Sequence, residues 1–140
     1  MPEESTRPDL VELNRAFIEA ANRRDVDAFM SFWGPDPVSF RSSAGLGTFE
    51  GRTAVRGFFE DWISSYEEFE MVAEEIVDLG NGVTYAILRQ RGRPVGSSGE
   101  VRLRFASVGF SVNGLYVRVK AYPDIDEARA AAERLAEERG

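Results

Sequence analysis

The chain of 140 residues has no cysteine and no histidine. Without cysteine there is no disulfide, no thiolate nucleophile and no thiolate metal site. Without histidine the usual general base, the commonest metal ligand and any Ser-His-Asp triad are excluded. Acidic side chains show no metal-loop spacing, so neither a metal nor another cofactor is expected. Lysine is nearly missing too: Lys120 is the single one, and every other base is arginine. No run of about 18 apolar residues exists to cross a membrane. The opening "MPEESTRPDL" is acidic and polar. That is the reverse of a signal peptide, which makes the cytoplasm the expected location. The net charge is −7, from 24 acids against 17 bases. Such a balance argues against a nucleic-acid partner, because that binding needs a basic face.

What is present fits one soluble domain with a real core. Hydrophobic residues make up 43% of the chain and charged ones 29%. Residues 1–8 are expected to form a flexible lead-in and 9–140 a single domain. A helical pattern opens with Thr6 as cap and Pro8 in the first turn, and Leu10, Leu13, Phe17 and Ala21 share one face. A short helix follows, with Asp25 as cap and Val26, Phe29, Met30 and Trp33 apolar. "VSFRS" reads as a strand and "SAGLG" as a loop. A third helix over 51–66 turns Val55, Phe58, Phe59, Trp62 and Ile63 inward. From residue 69 the period changes to two. Four antiparallel strands form two hairpins about Asn81-Gly82 and Asn113-Gly114. A last helix begins at Asp124, with Glu127 completing a box-like cap and Ala128, Ala131 and Leu135 as its stripe. Helices with one early strand, then a meander, then a helix make an α+β fold.

A two-residue turn at Asn81-Gly82 sets Glu74 opposite Arg89 and Glu70 opposite Arg93, a structural use for both charge runs. The same register puts Glu75 on a face with Ala73, Val77, Thr84, Ala86, Leu88 and Gln90. Alternation in "EVRLRFASVGF" separates Val101, Leu103 and Phe105 from Arg102, Arg104 and Ala106. Taken alone, it turns the apolar trio to a core and the arginines to water. "GLGTFEG" has the wrong glycine spacing for a nucleotide loop and no βαβ unit around it. Proton chemistry is left to carboxylates, Tyr and Lys120.

The stretches "AANRRDVDAFMSFWGPDPVSF", "GTFEGRTAVRGFFEDW", "EEIVDLGNGV" and "LYVRVKAYPDIDEARAAA" resemble, in order and spacing, the SnoaL-like proteins. These belong to the nuclear transport factor 2-like superfamily and include polyketide cyclases and relatives of ketosteroid isomerase. The resemblance implies a strongly curved, mostly antiparallel sheet wrapped around three N-terminal helices as a cone, plus a C-terminal helix. It implies an apolar pocket at one end and a homodimer through the outer sheet face, with Tyr85, Ile87, Val101, Leu103, Phe105, Tyr116 and Tyr122 expected to bury there. It also turns Arg102 and Arg104 into the cone, against the alternation. Carried over by position, the isomerase's oxyanion tyrosine falls on Phe17, its basic aspartate on Arg41 and its protonated aspartate on Ala106. None of these can do the same work.

The expectation is therefore a small-molecule-binding domain that does not use the isomerase mechanism. An apolar carbonyl compound or an anion would sit in the cone, oriented by Arg41, Arg102 and Arg104 and hydrogen-bonded by Gln90. Phe17, Trp33, Trp62, Leu88 and Ala106 would complete the site. Glu75 is the inward carboxylate that would act in a cyclase- or isomerase-type reaction; alternatively, Glu75 and Arg104 simply satisfy each other inside the sheet. The competing function is a non-catalytic homodimeric module with a vestigial pocket. A transport adaptor has only the fold in its favour, and fold alone does not give function.

Overall fold

The computed structural model describes residues 9–42 and 47–139. Helix α1 (Leu10–Asn22) is capped by Asp9, whose carboxylate accepts from the Glu12 N–H at 3.1 Å, satisfying one of the free donors of its first turn. The expected cap Thr6 and Pro8 lie outside the described residues. Helix α2 (Val26–Ser31) has the expected Asp25 cap, accepting from the Ala28 N–H at 3.0 Å. Strands β1 (Ser39–Arg41) and β2 (Thr48–Glu50) follow, then helix α3 (Arg52–Ser64). Gly51 enters α3 at a φ of 92° and brings no capping side chain. Asp36 supplies the cap from a distance, accepting from the Arg52 N–H at 2.7 Å. The Arg52 guanidinium in turn donates to the carbonyls of Trp33, Gly34 and Met30 at 2.8, 2.9 and 3.3 Å. Those bonds close the end of α2, where helix carbonyls lack partners of their own.

The rest is β3 (Tyr66–Gly80), β4 (Val83–Pro94), β5 (Val101–Val112), β6 (Leu115–Tyr122) and helix α4 (Ile125–Arg139). Asp124 caps α4 by accepting from the Glu127 N–H at 3.1 Å. Asn81, Gly82, Asn113 and Gly114 all take positive φ, as two tight hairpins require. The six strands make one sheet in the order β2-β1-β6-β5-β4-β3, antiparallel except for β1 beside β6. Strand β2 was not expected. Its three residues are too few to show a period, and it forms only because β1 offers an edge.

Helices α1 to α3 fill the concave side, around Ala20, Phe29, Met30, Trp33, Val55, Phe59 and Val119. Helix α4 lies on the convex side and buries Ala128, Ala132 and Ala136 against Val83, Tyr85, Ile87, Ala106 and Val108. Small side chains let the helix backbone come close to the sheet. The apolar outer face expected to meet a second subunit is thus largely covered from within the chain. No helix among the described residues is long and apolar enough to cross a membrane.

Four bulges, at Glu67, Glu74 and Leu79 of β3 and Val117 of β6, decide which side chains face which way. In β3 the ladder slips at Leu79 and again at Glu74, so Glu70 pairs with Arg91 rather than Arg93, and Glu74 has no ladder partner. An extra residue of this kind bends the strand and is left unpaired. The charges still meet: Arg89 and Arg104 both reach Glu74 at 3.0 Å, Arg91 reaches Glu70 at 3.2 Å, and Arg93 reaches Glu67 and Glu68 at 3.0 and 3.3 Å. In β6 the slip falls at Val117, between the pairs Phe110–Arg118 and Ser111–Tyr116.

Candidate functional site

A cavity of about 200 Å³ lies between the concave sheet face and the three helices. Asn14, Phe17, Ile18 and Ala21 of α1 form one wall, and Phe58, Phe59 and Trp62 of α3 face them. Their spacing of three and four is that of a single helix face. The floor is made by Phe40 on β1, Leu88 and Gln90 on β4, Leu103, Phe105, Ser107 and Gly109 on β5, and Tyr116 and Val119 on β6. On β4 and β5 these are alternate positions, as one side of a pleated sheet demands. Leu103 is 46% exposed and marks the rim. Among the described residues, no Asp, Glu, Lys or Arg lines this space.

Its polarity comes from a few neutral groups. Asn14 is buried and donates through Nδ2 to the Thr84 hydroxyl at 3.0 Å, which fixes the amide from the sheet. Gln90, also buried, points its Nε2 at the Tyr66 hydroxyl, 3.4 Å away. Tyr116 is the distinctive one. Its hydroxyl is buried and has no hydrogen-bond partner among the described residues. Its ring is held between Phe17, with centroids 4.7 Å apart, and Trp33, at 6.0 Å. Gly109 makes room for it: a Cβ there would lie 2.9 Å from Tyr116 Cε1. Burial pushes the Tyr116 hydroxyl above its ordinary value. Desolvation disfavours the phenolate, so the group remains a neutral donor.

The residues expected at the site divide sharply. Phe17, Trp62, Leu88 and Gln90 come together on the cavity wall. Trp33 is buried behind it, against Phe17 and Tyr116. Arg41 does not enter the cone; it lies beside Lys120 on the outer face, while Phe40 turns inward. Arg102 and Arg104 are likewise outside, exposed and paired with Glu100 and Glu74. Ala106 is buried, but under α4 rather than in the cavity. Glu75 is exposed on the outer face opposite Ile87, because the bulge at Glu74 reverses the alternation. It does not pair with Arg104, whose partner is Glu74. Of the supposed dimer face, Leu103, Phe105 and Tyr116 line the cavity instead. Leaving charged groups outside follows from the cost of burying an ion without a partner.

Sequence comparison adds the family. A sequence model described as the SnoaL-like domain matches residues 14–119, more than half of the chain. The chain belongs to the SnoaL-like family. No curated protein sequence matches it. Solved structures place this SnoaL-like chain among nuclear transport factor 2-like folds. One is a protein of unknown function from Burkholderia pseudomallei, 22% identical, with a TM-score of 0.73 over 90% of this chain and 98% of that one. Another is a putative SnoaL-like polyketide cyclase from Shewanella denitrificans, 12% identical, with a TM-score of 0.70 over 92% and 99%. A third is an epoxide hydrolase/cyclase-like enzyme described for pyran ring formation in the polyether salinomycin, 16% identical, with a TM-score of 0.72 over 87% and 93%. At these identities the likeness establishes the fold.

On this SnoaL-like frame only Phe17 of the three carried-over isomerase positions reaches the cone. Arg41 and Ala106 face away from it, and the side chains beside them on its wall are Phe40 and Ser42, and Phe105 and Ser107. A one-residue change of position flips a strand residue to the other face. Either assignment leaves the cavity without a carboxylate among the described residues. Tyr116 is the residue that sequence reasoning missed, since it was grouped with an outer surface.

Proposed function

We propose that this SnoaL-like domain binds a neutral, flat, mostly apolar small molecule in its cone, with a carbonyl or ether oxygen accepting from the Tyr116 hydroxyl. The observation that carries this is the pairing of an uncharged, aromatic-walled cavity with a buried, unpartnered donor on a wall residue; the other such donor among the described residues, Trp33 Nε1, belongs to a ring outside the lining. Apolar walls with a few fixed polar groups are what small-molecule sites are made of. Gln90 and Asn14 add two further polar groups, each tied to another residue and so held in place. An anionic ligand is disfavoured in the cone, because Arg41, Arg102 and Arg104 all lie outside it. Acid–base turnover through Glu75 is not supported, for the same reason of position. If chemistry occurs on this ligand, Tyr116 polarises its oxygen and the remaining steps belong to the substrate.

The test is Trp62 fluorescence, since Trp62 lines the cavity and Trp33 does not. Neutral polycyclic ketones should quench it saturably, and analogues carrying a carboxylate should bind at least tenfold more weakly. Equal affinity for the carboxylates would overturn the neutral-ligand reading. Quenching that persists in Gly109→Val, where the added side chain pushes against Tyr116, would place the ligand outside the cone.

The homodimer is proposed for the part of the outer sheet that α4 leaves open, the charged strip of Arg89, Arg91, Arg102 and Arg104 with Glu70 and Glu74. Arginine and glutamate alternate there in a way a two-fold axis could match. Sedimentation of a monomer at micromolar concentration would end that proposal.

A further inference from the structure

Nearly every described arginine has a visible occupation. Arg56, Arg89, Arg91, Arg93, Arg102 and Arg104 pair with acids, and Arg24 and Arg52 donate to backbone carbonyls. Arg129 donates to the Tyr85 hydroxyl. Arg41, Arg118 and Arg134 differ: none forms a hydrogen bond or ion pair with a described residue. Lys120 has only the Tyr122 ring, 4.8 Å away. These four cations share one place, a groove of about 420 Å³ between α4 and the outer face of β1 and β6. Among the described residues, its one carboxylate is Glu138.

The strand register brings the cations close together. Arg41 lies beside Lys120 in the parallel ladder, and Ser39 beside Arg118, so Arg118 stands on the same face two residues from Lys120. Neighbouring strands are about 4.8 Å apart and alternate residues of one strand roughly 7 Å. Like charges at such spacing destabilise a sheet unless something negative is placed between them. The protein as a whole is acidic, with a net charge of −7, so a local excess of cations is not a general trait of its surface. Below the cations the groove floor is apolar, made by Val108, Phe110 and Leu135.

We propose that this groove is a second ligand site, separate from the cone, for a small molecule with a dianionic head such as a phosphate monoester on an apolar body. Arg41 and Arg118 present planar forks that match phosphate oxygens, Lys120 adds a point charge, and Arg134 closes the site from α4. The apolar floor receives the body of the ligand. A polyanion such as nucleic acid does not fit, because the rest of the acidic surface would repel it.

Phenyl phosphate is the probe, with inorganic phosphate and phenol as its two halves, followed by calorimetry on the full chain and by amide shifts in NMR spectra. Phenyl phosphate should bind once per chain, tighter than either half, and shift amides around Lys120 and Leu135. Arg118→Gln and Arg134→Gln should each weaken it at least fivefold. Glu138→Gln should tighten it, and Arg56→Gln, which removes a paired arginine of α3 far from the groove lining, should leave it unchanged. Arg118→Gln should also raise the melting temperature in phosphate-free buffer, where it relieves repulsion, and lose the stabilisation that phenyl phosphate gives the parent chain. Melting curves confirm that each variant is folded. Failure to saturate at millimolar probe, an equal loss in Arg56→Gln, or shifts at Phe17 and Gln90 instead of the groove would each overturn the proposal. Because the cone test uses neutral ligands and Trp62, either proposal can fail without the other.

Discussion

Replacing Tyr116 by Phe should move stability and binding in opposite directions. The tyrosine ring is packed against Phe17 and Trp33, and Phe keeps that packing. Only the hydroxyl is removed, and in the free protein it is buried without a partner among the described residues. Leaving a buried polar group unsatisfied costs about 1–3 kcal/mol, so its removal should stabilise the empty protein by about 1 kcal/mol at the lower end. For a chain of this length the unfolding entropy is about 0.3 kcal/mol/K, so about 1 kcal/mol corresponds to roughly 3 °C in melting temperature. Differential scanning calorimetry of parent and variant measures it. With a ketone ligand bound, the hydroxyl gains its acceptor, and the variant should lose about 0.5–1.5 kcal/mol of affinity, a factor of roughly 2 to 12. The parent's binding should also stay flat through neutral pH and up to the ordinary tyrosine value of 10, since burial raises the hydroxyl above it. A fall in melting temperature of the same size would refute the reasoning. It would mean that the hydroxyl already has a good partner, such as an ordered water, and is not held ready for a ligand.

Ala132 is fully buried where α4 meets the sheet. Ala132→Leu should therefore overpack the contact and cost about 1–3 kcal/mol in urea denaturation, while Ala131→Leu on the less buried side should cost less. Glu74 carries a pH prediction. The hydrogen bond from Arg104, with the charges of Arg104 and Arg89 added, holds its carboxyl below the ordinary 4.5. A carboxylate depressed in the folded state contributes stability that is present above its unfolded value and is lost as pH falls through the folded one. The parent should therefore lose stability below about pH 4.5 more steeply than Glu74→Gln, and added salt should shrink the difference. Parallel acid titrations of the two proteins would test the point.

The helices and hairpin turns were legible because each has a local cause. Asp25 caps α2, Asp124 caps α4, and Asn81-Gly82 and Asn113-Gly114 take the left-handed conformations that tight turns need. The strand faces were only half legible. Alternation in β5 turns Leu103 and Phe105 to a core, as found, but Tyr85, Ile87 and Tyr122, expected on one outer face with them and Tyr116, lie on the opposite face under α4. The plain pattern favoured Arg102 and Arg104 outside, and the structure agrees with it against the positions carried over from the family. Glu75 was misplaced for a different reason. One extra residue in a strand reverses every later side chain, and nothing about Glu74 marks it as that residue. The same holds for Val117, which turns Tyr122 outward while Tyr116 points in.

Arg41 shows how charge is sorted between the two faces of this sheet. A guanidinium in the cone would need a carboxylate or a bound anion beside it. The cone offers neither among its described lining residues. Turned outward, the same arginine joins Arg118, Lys120 and Arg134, where water can solvate all four. The sheet thus separates an uncharged, enclosed space from a charged, open one across a single layer of backbone. Val119 and Lys120 are adjacent in sequence yet look into different chemistries, the first into the cavity and the second onto the cationic groove.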